Sequence, residues 1–313
     1  MSSTVSTQPP VSVAGSAAGA APRRRTRPGG PRRNLAAAAF LLPAAALVAV
    51  VLLVPFGATV YRSLLTDDLQ PVFGGLSAYA KLLDDPALSL SLLNTLLWMA
   101  GTLLLPVGFG LAVAVMTNAQ KWGRIARLAV VLPYAISGSA VAVIWGYMLR
   151  SDGAVNQMLA NLGLESWAHD WLLEDPLNTF GMIMANTWQA TGVAVILFLV
   201  GLQTIPPETV EAAAIDGADG WVRFRHIVLP QLRPVTYVVV GISLANALRT
   251  FDVIWVMTQG GPARTSETLA LSMYRESFLL QRPGVGSAIA VVLTLIVLAS
   301  SWLYLRGQGK AAR

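Results

Sequence analysis

Cysteine is absent from this 313-residue chain, and histidine occurs only at His169 and His226. The lack of cysteine excludes disulfides and thiolate metal sites, and two histidines so far apart do not indicate a metal centre. Charged residues are also scarce, at 12% of the sequence against 55% hydrophobic residues. With a mean hydropathy of +0.59, the composition indicates an integral membrane protein rather than a water-soluble one.

Motifs for catalysis and nucleotide binding are missing as well. No G-x-x-x-x-G-K-[ST] loop occurs, because Gly307-Gln-Gly309-Lys310 lacks both the spacing and a preceding strand. No nucleophile–base set or metal-ligand cluster supports a membrane enzyme. A net charge of +6 would suggest nucleic acid for a soluble protein, but here the basic residues follow membrane topology. We expect no catalytic residue, no metal and no nucleic-acid partner.

Six apolar stretches are long enough to cross a bilayer, which takes about 20 residues. They predict an all-α integral membrane protein with six transmembrane helices, at approximately 35–60, 90–116, 126–149, 179–202, 235–257 and 287–305. The first stretch is longer than the apolar core of a signal peptide, so we expect a retained helix. Around the six-helix domain (34–306) lie a basic tail (1–33), expected to be disordered, and a short C-terminal tail (307–313).

Basic residues predict the orientation of these spans. Of the 22 Lys and Arg residues, 15 fall on the side of the N-terminus, namely Arg23, Arg24, Arg25, Arg27, Arg32, Arg33, Lys121, Arg124, Arg127, Arg223, Arg225, Arg233, Arg306, Lys310 and Arg313. The opposite side carries Arg62, Lys81, Arg150, Arg264, Arg275 and Arg282, and Arg249 lies within the fifth span. Both termini and the loop 203–234 are therefore expected in the cytoplasm.

That loop contains the longest polar run between two apolar segments on the cytoplasmic side. Pro206-Pro207 can open a short helix, and Gly217 suits the left-handed residue that ends one. Trp221, Phe224 and Val228 then recur at near-helical spacing until Pro230. The sequence predicts a helix–turn–helix elbow. Its first arm is rich in alanine and carries the carboxylate of Glu211.

The elbow resembles the EAA loop in permease subunits of bacterial ABC importers. The matching positions are Glu211, Ala212, Ala213, Gly217, Ile227, Leu229 and Pro230, with Asp216 beside the glycine. The resemblance implies that loop 203–234 docks into a cleft on a cytoplasmic ATPase. It also implies that a homodimer of that ATPase binds ATP and Mg²⁺, so that this chain has no cofactor. A second related permease and an extracytoplasmic solute-binding protein are further implied partners. The alternative is an ordinary amphipathic helix at the membrane surface.

A second resemblance concerns Phe251–Pro262, which closes the fifth span. It is similar to the signature of carbohydrate-uptake permeases of the maltose and glycerol-phosphate type, and the match extends over about 60–305 through Gly153, Asn156, Trp171, Leu172, Asp175, Pro176, Trp188, Thr268, Leu269, Tyr274 and Phe278. The chain looks like the compact six-span members, so the implied fold is that of a type I importer permease. The implied function is import of mono- or oligosaccharides by alternating access, in the cell membrane of a bacterium.

Polar residues inside spans four and five are candidates for the solute pathway, because polar groups within a bilayer usually face a bundle interior or a wet cavity. Amides and hydroxyls both donate and accept hydrogen bonds, as recognition of sugars requires. The resemblance implies a sugar site at Asn186, Gln189, Ala190, Val193, Ser243, Asn246, Ala247 and Thr250. The alternative role for these polar groups is hydrogen bonding between helices of the bundle.

Arg249 and Asp252 lie three residues apart in the fifth span. Two opposite charges at that spacing favour a structural pair, whereas an unpaired Arg249 would favour an anionic solute such as glycerol 3-phosphate. An ion-coupled secondary carrier that uses Asp252 is the alternative of another class, although we see no internal repeats with broken helices. A permease for peptides or amino acids is a third alternative, and the Phe251–Pro262 signature argues against it.

Overall fold

The computed structural model describes residues 31–118, 120, 122–247 and 250–311. Most of the predicted N-terminal tail therefore lies outside the described residues. The described residues fall into two compact units, which divide between Val54 and Pro55. At the other end, the final helix runs to Ala311, so the described part of the predicted C-terminal tail continues the last span rather than forming a separate segment.

Within the described residues the regular secondary structure is helical, with one isolated antiparallel bridge between Leu65 and Phe73. In chain order the α-helices are α1 (Pro31–Val48), α2 (Val54–Ser63), α3 (Ser77–Asp84), α4 (Pro86–Asn118), α5 (Gly123–Val131), α6 (Gly138–Met148), α7 (Ala154–Asn161), α8 (Leu177–Gln203), α9 (Pro207–Ile215), α10 (Gly220–Arg223), α11 (Leu229–Gln231), α12 (Arg233–Ala247), α13 (Asp252–Met257), α14 (Leu269–Tyr274) and α15 (Pro283–Ala311). Turns of π-helix occupy Ala49–Leu53, Phe224–Val228 and Arg275–Leu279, and 3₁₀ turns occupy Leu132–Ala135 and Glu165–Trp167.

Four helices are long and apolar enough to cross a membrane on their own: Phe40–Ser63, Pro86–Asn118, Leu177–Gln203 and Pro283–Gln308. Two helix pairs reach the necessary length only when each bent pair counts as one span. By length and composition the described residues thus hold four to six candidate spans. The all-helical membrane fold is confirmed, and the count of six remains a prediction.

The third predicted span, 126–149, is not one straight helix. Gly123–Ala135 and Gly138–Met148 meet at an angle of 106°. Pro133 lies in the 3₁₀ turn before the bend, and proline cannot donate a backbone hydrogen bond. Ser137 then starts a new helix, since its side chain accepts a hydrogen bond from the backbone N–H of Ala140 at 3.3 Å. The apolar composition of residues 126–149 does not show this break.

The fifth predicted span, 235–257, is also interrupted. α12 ends at Ala247, and α13 begins at Asp252. Thr250 donates its hydroxyl to the carbonyl oxygen of Asn246 at 3.2 Å, which satisfies one of the carbonyls that a helix end leaves without a partner. The predicted span is therefore made of two helices.

α4 and α8 form the centre of the bundle. A Cβ built on Gly110 would lie 2.5 Å from the Cβ of Ala194, and one on Gly101 would lie 2.6 Å from Ile183 Cγ2. Small residues allow such close approach between membrane helices. Trp98 of α4 is almost fully buried and packs in one cluster with residues of α8 and α13. This central pair fixes the faces on which the candidate pathway residues lie.

Candidate functional site

The predicted elbow is present in loop 203–234. Its first arm, α9, starts at Pro207, and Gly217 has a φ of +79°. The N–H of Ala218 binds the carbonyl of Ala213 at 2.8 Å, and the N–H of Gly217 binds that of Ala214 at 3.1 Å. These two bonds form a Schellman motif, which satisfies the last carbonyls of the helix. The local geometry predicted for Gly217 is confirmed.

The second arm of the elbow is longer than the sequence predicts. α10, the π turn Phe224–Val228 and α11 carry it past Pro230 to Gln231. There it meets α12 at 70°, next to the fully buried Leu232. Proline is tolerated at this point because Pro230 sits in the first turn of α11. Ile227, Leu229 and Pro230 are half-buried along this arm.

The outward face of the elbow is exposed. Glu211, Ala212 and Asp216 are exposed, and Ala213 alone of the small residues predicted there is buried. Among the residues that the structure describes, Glu211 takes part in no ion pair. Two large apolar side chains, Ile215 and Trp221, are 87% and 69% exposed. The elbow thus offers exposed carboxylates, Glu211 and Asp216 among them, beside apolar surface.

A polar pocket of about 330 Å³ lies between α8 and the interruption after α12. It brings together six of the residues singled out from the sequence: Asn186, Gln189, Ala190, Asn246, Thr250 and Asp252. Tyr134, Gly138, Phe251 and Val253 complete its lining. Both broken spans therefore contribute to this pocket, through the bend that follows Tyr134 and through the gap that precedes Asp252.

Two amides of the pocket also hold the bundle together. Gln189 donates from Nε2 to the carbonyl oxygen of Ile136 at 2.5 Å, and Asn186 donates from Nδ2 to Thr102 Oγ1 at 3.4 Å. Each amide can donate twice and accept as well, so these bonds do not use up its capacity. The same two amides can therefore hydrogen-bond within the bundle and line the pocket.

The remaining pathway candidates lie elsewhere. Ser243 and Ala247 of α12 are buried, Val193 of α8 is half-buried, and none of the three lines the polar pocket. Arg249 lies outside the described residues, so the Arg249–Asp252 pair stays a prediction. Asp252 is exposed in the first turn of α13, where the helix dipole favours a carboxylate.

The structure contains a buried ion cluster that was not predicted from the sequence, where its arginines indicate only membrane topology. Glu267 and Glu276 are 0% and 1% exposed. Arg264 contacts both carboxylates, at 3.0 and 3.3 Å, while Arg275 pairs with Glu267 and Arg282 lies 3.7 Å from Glu276. The spacing of three between Arg264 and Glu267 was the available signal. The cluster joins the loop after α13 to the start of α15.

Hydrogen bonds connect this loop to the central helices. Asn94 of α4 donates to the carbonyls of Thr265 and Glu267 at 2.6 and 2.9 Å, and Asn178 of α8 donates to Thr265 Oγ1 at 3.0 Å. Burial alone would lower the pKa of Arg264, but its hydrogen bond and charge contacts with the glutamates raise that pKa above its ordinary value. The guanidinium therefore stays charged.

The turn Gly260-Gly261-Pro262 supports the same loop. A Gly-Gly-Pro sequence predicts a turn with positive φ at a glycine, and Gly260 has a φ of +84°. A Cβ at this position would overlap Glu267 Cγ. The glycine is thus required both by backbone conformation and by the close approach of the buried glutamate.

On the same predicted side, the loop after α6 is organised by Asn156. Its Oδ1 accepts from Trp171 Nε1 at 2.8 Å, and its Nδ2 donates to the carbonyls of Ser151 and His169. His169 contacts Glu174 at 3.0 Å. Within the described residues, no group of three or more His, Asp or Glu side chains could hold a metal.

Comparison with known proteins identifies the family. Residues 104–306 match the family model described as binding-protein-dependent transport system inner membrane component. A probable ABC transporter permease protein, PH1215 of Pyrococcus horikoshii, is 36% identical over 239 residues, covering 74% of this chain and 80% of the relative. The alpha-glucoside transport system permease protein AglF of Rhizobium meliloti is 34% identical, covering 72% and 68% of the two chains.

Solved structures share the fold. One is the crystal structure of a bacterial alginate ABC transporter in complex with an alginate pentasaccharide-bound periplasmic protein. It superimposes with a TM-score of 0.72 at 23% identity, over 87% of this chain and 93% of that one. Together with the sequence matches, the helical membrane fold and the elbow lead to one conclusion: this chain belongs to the binding-protein-dependent inner membrane components and is a permease of an ABC importer.

Proposed function

We propose that this permease forms part of a sugar pathway through the bacterial cell membrane. The observation that carries the proposal is the polar pocket, in which side chains from spans four and five converge at two helix interruptions. Asn186, Gln189 and Asn246 supply amides, and Thr250 supplies a hydroxyl. These groups both donate and accept hydrogen bonds, which matches the hydroxyls of a sugar.

The pocket also has features that favour a neutral sugar. Phe251 lines it and stacks on Trp255 with ring centroids 5.9 Å apart, and aromatic rings can cover the apolar face of a sugar ring. Asp252 adds a carboxylate, which can accept from hydroxyls but would repel a phosphorylated solute. The relative that is named for alpha-glucoside transport supports the same class of solute.

The elbow is the proposed contact for a cytoplasmic ATPase. Its exposed Glu211 can form a charge-assisted hydrogen bond with a basic residue of that subunit, while Ile215 and Trp221 supply apolar contact. ATP and Mg²⁺ belong to the ATPase, and this chain is non-catalytic. Movement of the elbow reaches α12 through the 70° bend at Leu232, and α12 leads to Asn246 in the pocket. Through this connection, movement of the ATPase drives alternating access at the pocket.

The remaining partners follow from the proposed six-span topology, with both termini in the cytoplasm. A second related permease completes the pathway, and an extracytoplasmic binding protein delivers the solute to the side of α7 and the buried ion cluster. This assignment agrees with the alginate transporter, whose structure includes its periplasmic protein.

The test is Asn246→Leu, with Ala245→Leu as its matched control. Both residues are exposed neighbours on α12, but only Asn246 lines the pocket. In proteoliposomes that hold the whole transporter, Asn246→Leu should slow sugar uptake while the ATPase stays bound, and Ala245→Leu should transport normally. Loss of assembly by Asn246→Leu alone would assign that residue to packing and contradict the proposal.

The same vesicles separate this function from an ion-coupled carrier. An ABC importer should take up sugar only with its ATPase and ATP, and an ionophore should leave the rate unchanged. Uptake that persists without the ATPase and collapses with an ionophore would overturn the proposed mechanism and favour Asp252 as an ion site.

A further inference from the structure

A second, larger groove lies on a different face of α12 from the polar pocket. It has a volume of about 790 Å³ and runs between α4, α12 and α15, beside the bend at Leu232. Its walls are mainly apolar and include Met99, Leu103, Leu229, Val240, Leu244 and Leu303. It shares no lining residue with the polar pocket. The groove is therefore a separate site from the polar pocket.

Two arginines stand on opposite sides of the bend and line this groove. Arg225 belongs to the second arm of the elbow, and Arg233 is the first residue of α12. Both are exposed, and within the part of the chain that the structure describes neither is within ion-pair distance of a carboxylate. No carboxylate is among the described residues that line the groove. The groove thus presents positive charge at one end.

The other polar groups of the groove are already satisfied within the protein. Tyr304 donates its hydroxyl to the carbonyl of Tyr237 at 2.6 Å, and Tyr237 donates to that of Gly307 at 3.2 Å. Thr236 donates to the carbonyl of Leu232, just before α12, and Ser300 donates to a carbonyl of its own helix. The interior therefore offers apolar contact rather than free hydrogen-bonding groups, which suits hydrocarbon better than a sugar or a peptide backbone.

We propose that this groove binds an anionic phospholipid. The phosphate lies between Arg225 and Arg233, where guanidinium groups can bind its oxygens in pairs, and the acyl chains follow the apolar walls along α12 and α15. Basic pockets between transmembrane helices are suited to anionic headgroups. A lipid held there connects the second arm of the elbow to α12 across the bend, and it does so whatever solute the transporter carries.

The complete transporter, equilibrated in bilayer discs with equal amounts of dioleoyl phosphatidylglycerol and dioleoyl phosphatidylcholine, provides the test. Native mass spectrometry then counts the lipids that remain bound. We expect preferential retention of phosphatidylglycerol, about fivefold weaker in Arg225→Gln and roughly 30-fold weaker in the double variant with Arg233→Gln. The control is Arg124→Gln, because Arg124 is exposed and basic but does not line the groove.

The apolar part of the groove is tested separately with Gly307→Leu. A Cβ at Gly307 would make an ordinary contact of 3.7 Å with Tyr237, so a side chain there can fill the groove without displacing backbone. This variant should lose both lipids from the site. Sugar uptake by the same variants is measured in parallel, so that a failure of this lipid site is distinguishable from a failure of the transport function.

Three results would overturn the lipid site. The first is equal retention of the two lipids, and the second is equal loss of phosphatidylglycerol in Arg124→Gln and in the double variant. The third is cross-linking of Gly307→Cys to the second permease through a cysteine-directed reagent, which the absence of other cysteines in this chain makes specific. That outcome would show the groove to be a subunit interface.

Discussion

The elbow around Glu211 and the loop around Glu267 each contain a glutamate, but the two carboxylates differ in their exposure to solvent. Glu211 is exposed and forms no ion pair among the described residues, whereas Glu267 is fully buried between Arg264 and Arg275. A buried charge is tolerated only when other groups compensate it, so the Glu267 loop is built to hold its own shape. The Glu211 elbow leaves its charge available to another molecule. The burial of the carboxylate therefore distinguishes the structural role of Glu267 from the docking role proposed for Glu211.

Glu211→Lys should produce the largest change in function. Reversing the exposed charge opposes any basic residue of the ATPase, so sugar uptake should fall to background. The thermal stability of the permease should change by no more than about 0.5 kcal/mol, because the residue is on the surface. Uptake in proteoliposomes and a thermal melt measure the two effects. Normal uptake would contradict the docking role proposed for Glu211.

Glu267→Ala should give the converse result. Removing one partner from a buried charge cluster costs about 3–5 kcal/mol, because Arg264 and Arg275 lose their buried counter-ion. The melting temperature and the yield of folded permease should both fall, with Glu211→Ala as the matched control that leaves both unchanged. A stable Glu267→Ala protein would show that the buried ion cluster does not hold the loop together.

Two of the glycines with positive φ, Gly217 and Gly260, sharpen the comparison. Apart from the adjoining chain, no described residue comes within 4 Å of a Cβ built on Gly217, whereas a Cβ on Gly260 would overlap Glu267 Cγ. Gly217→Ala should therefore cost only the left-handed conformation, about 1–2 kcal/mol, and Gly260→Ala should cost more in the same thermal melt. Equal losses would mean that the clash at Gly260 is relieved by movement of the loop.

Raising the ionic strength should give the smallest of these effects. The screening length falls from about 10 Å at 0.1 M to about 3 Å at 1 M ionic strength, and buried pairs are screened less than exposed ones. Binding of the ATPase to the wild-type permease should weaken over this range, while the stability contributed by Glu267 should stay nearly constant. A binding assay on the Glu211→Gln variant, which should show a smaller salt dependence, is the control.

The sequence by itself determined the membrane class, the helical fold and the elbow. Long apolar runs require helices in a bilayer because backbone groups must bond within the segment. The left-handed turn at Gly217 is equally local, since it depends on the chain within a few residues of the glycine. For the same reason the positive φ in the Gly260 turn could be predicted.

Only the tertiary structure decided how those helices are broken and what they enclose. The bend after Tyr134 and the gap before Asp252 lie at the pocket that contains Asn186, Gln189 and Asn246. The family resemblance implied that these residues share a site, but hydropathy cannot show an interruption inside an apolar run. Burial of Glu267 and Glu276 likewise depends on contacts between residues distant along the chain. Charge is visible in a sequence, but its solvation is set by the packing of the helices around it.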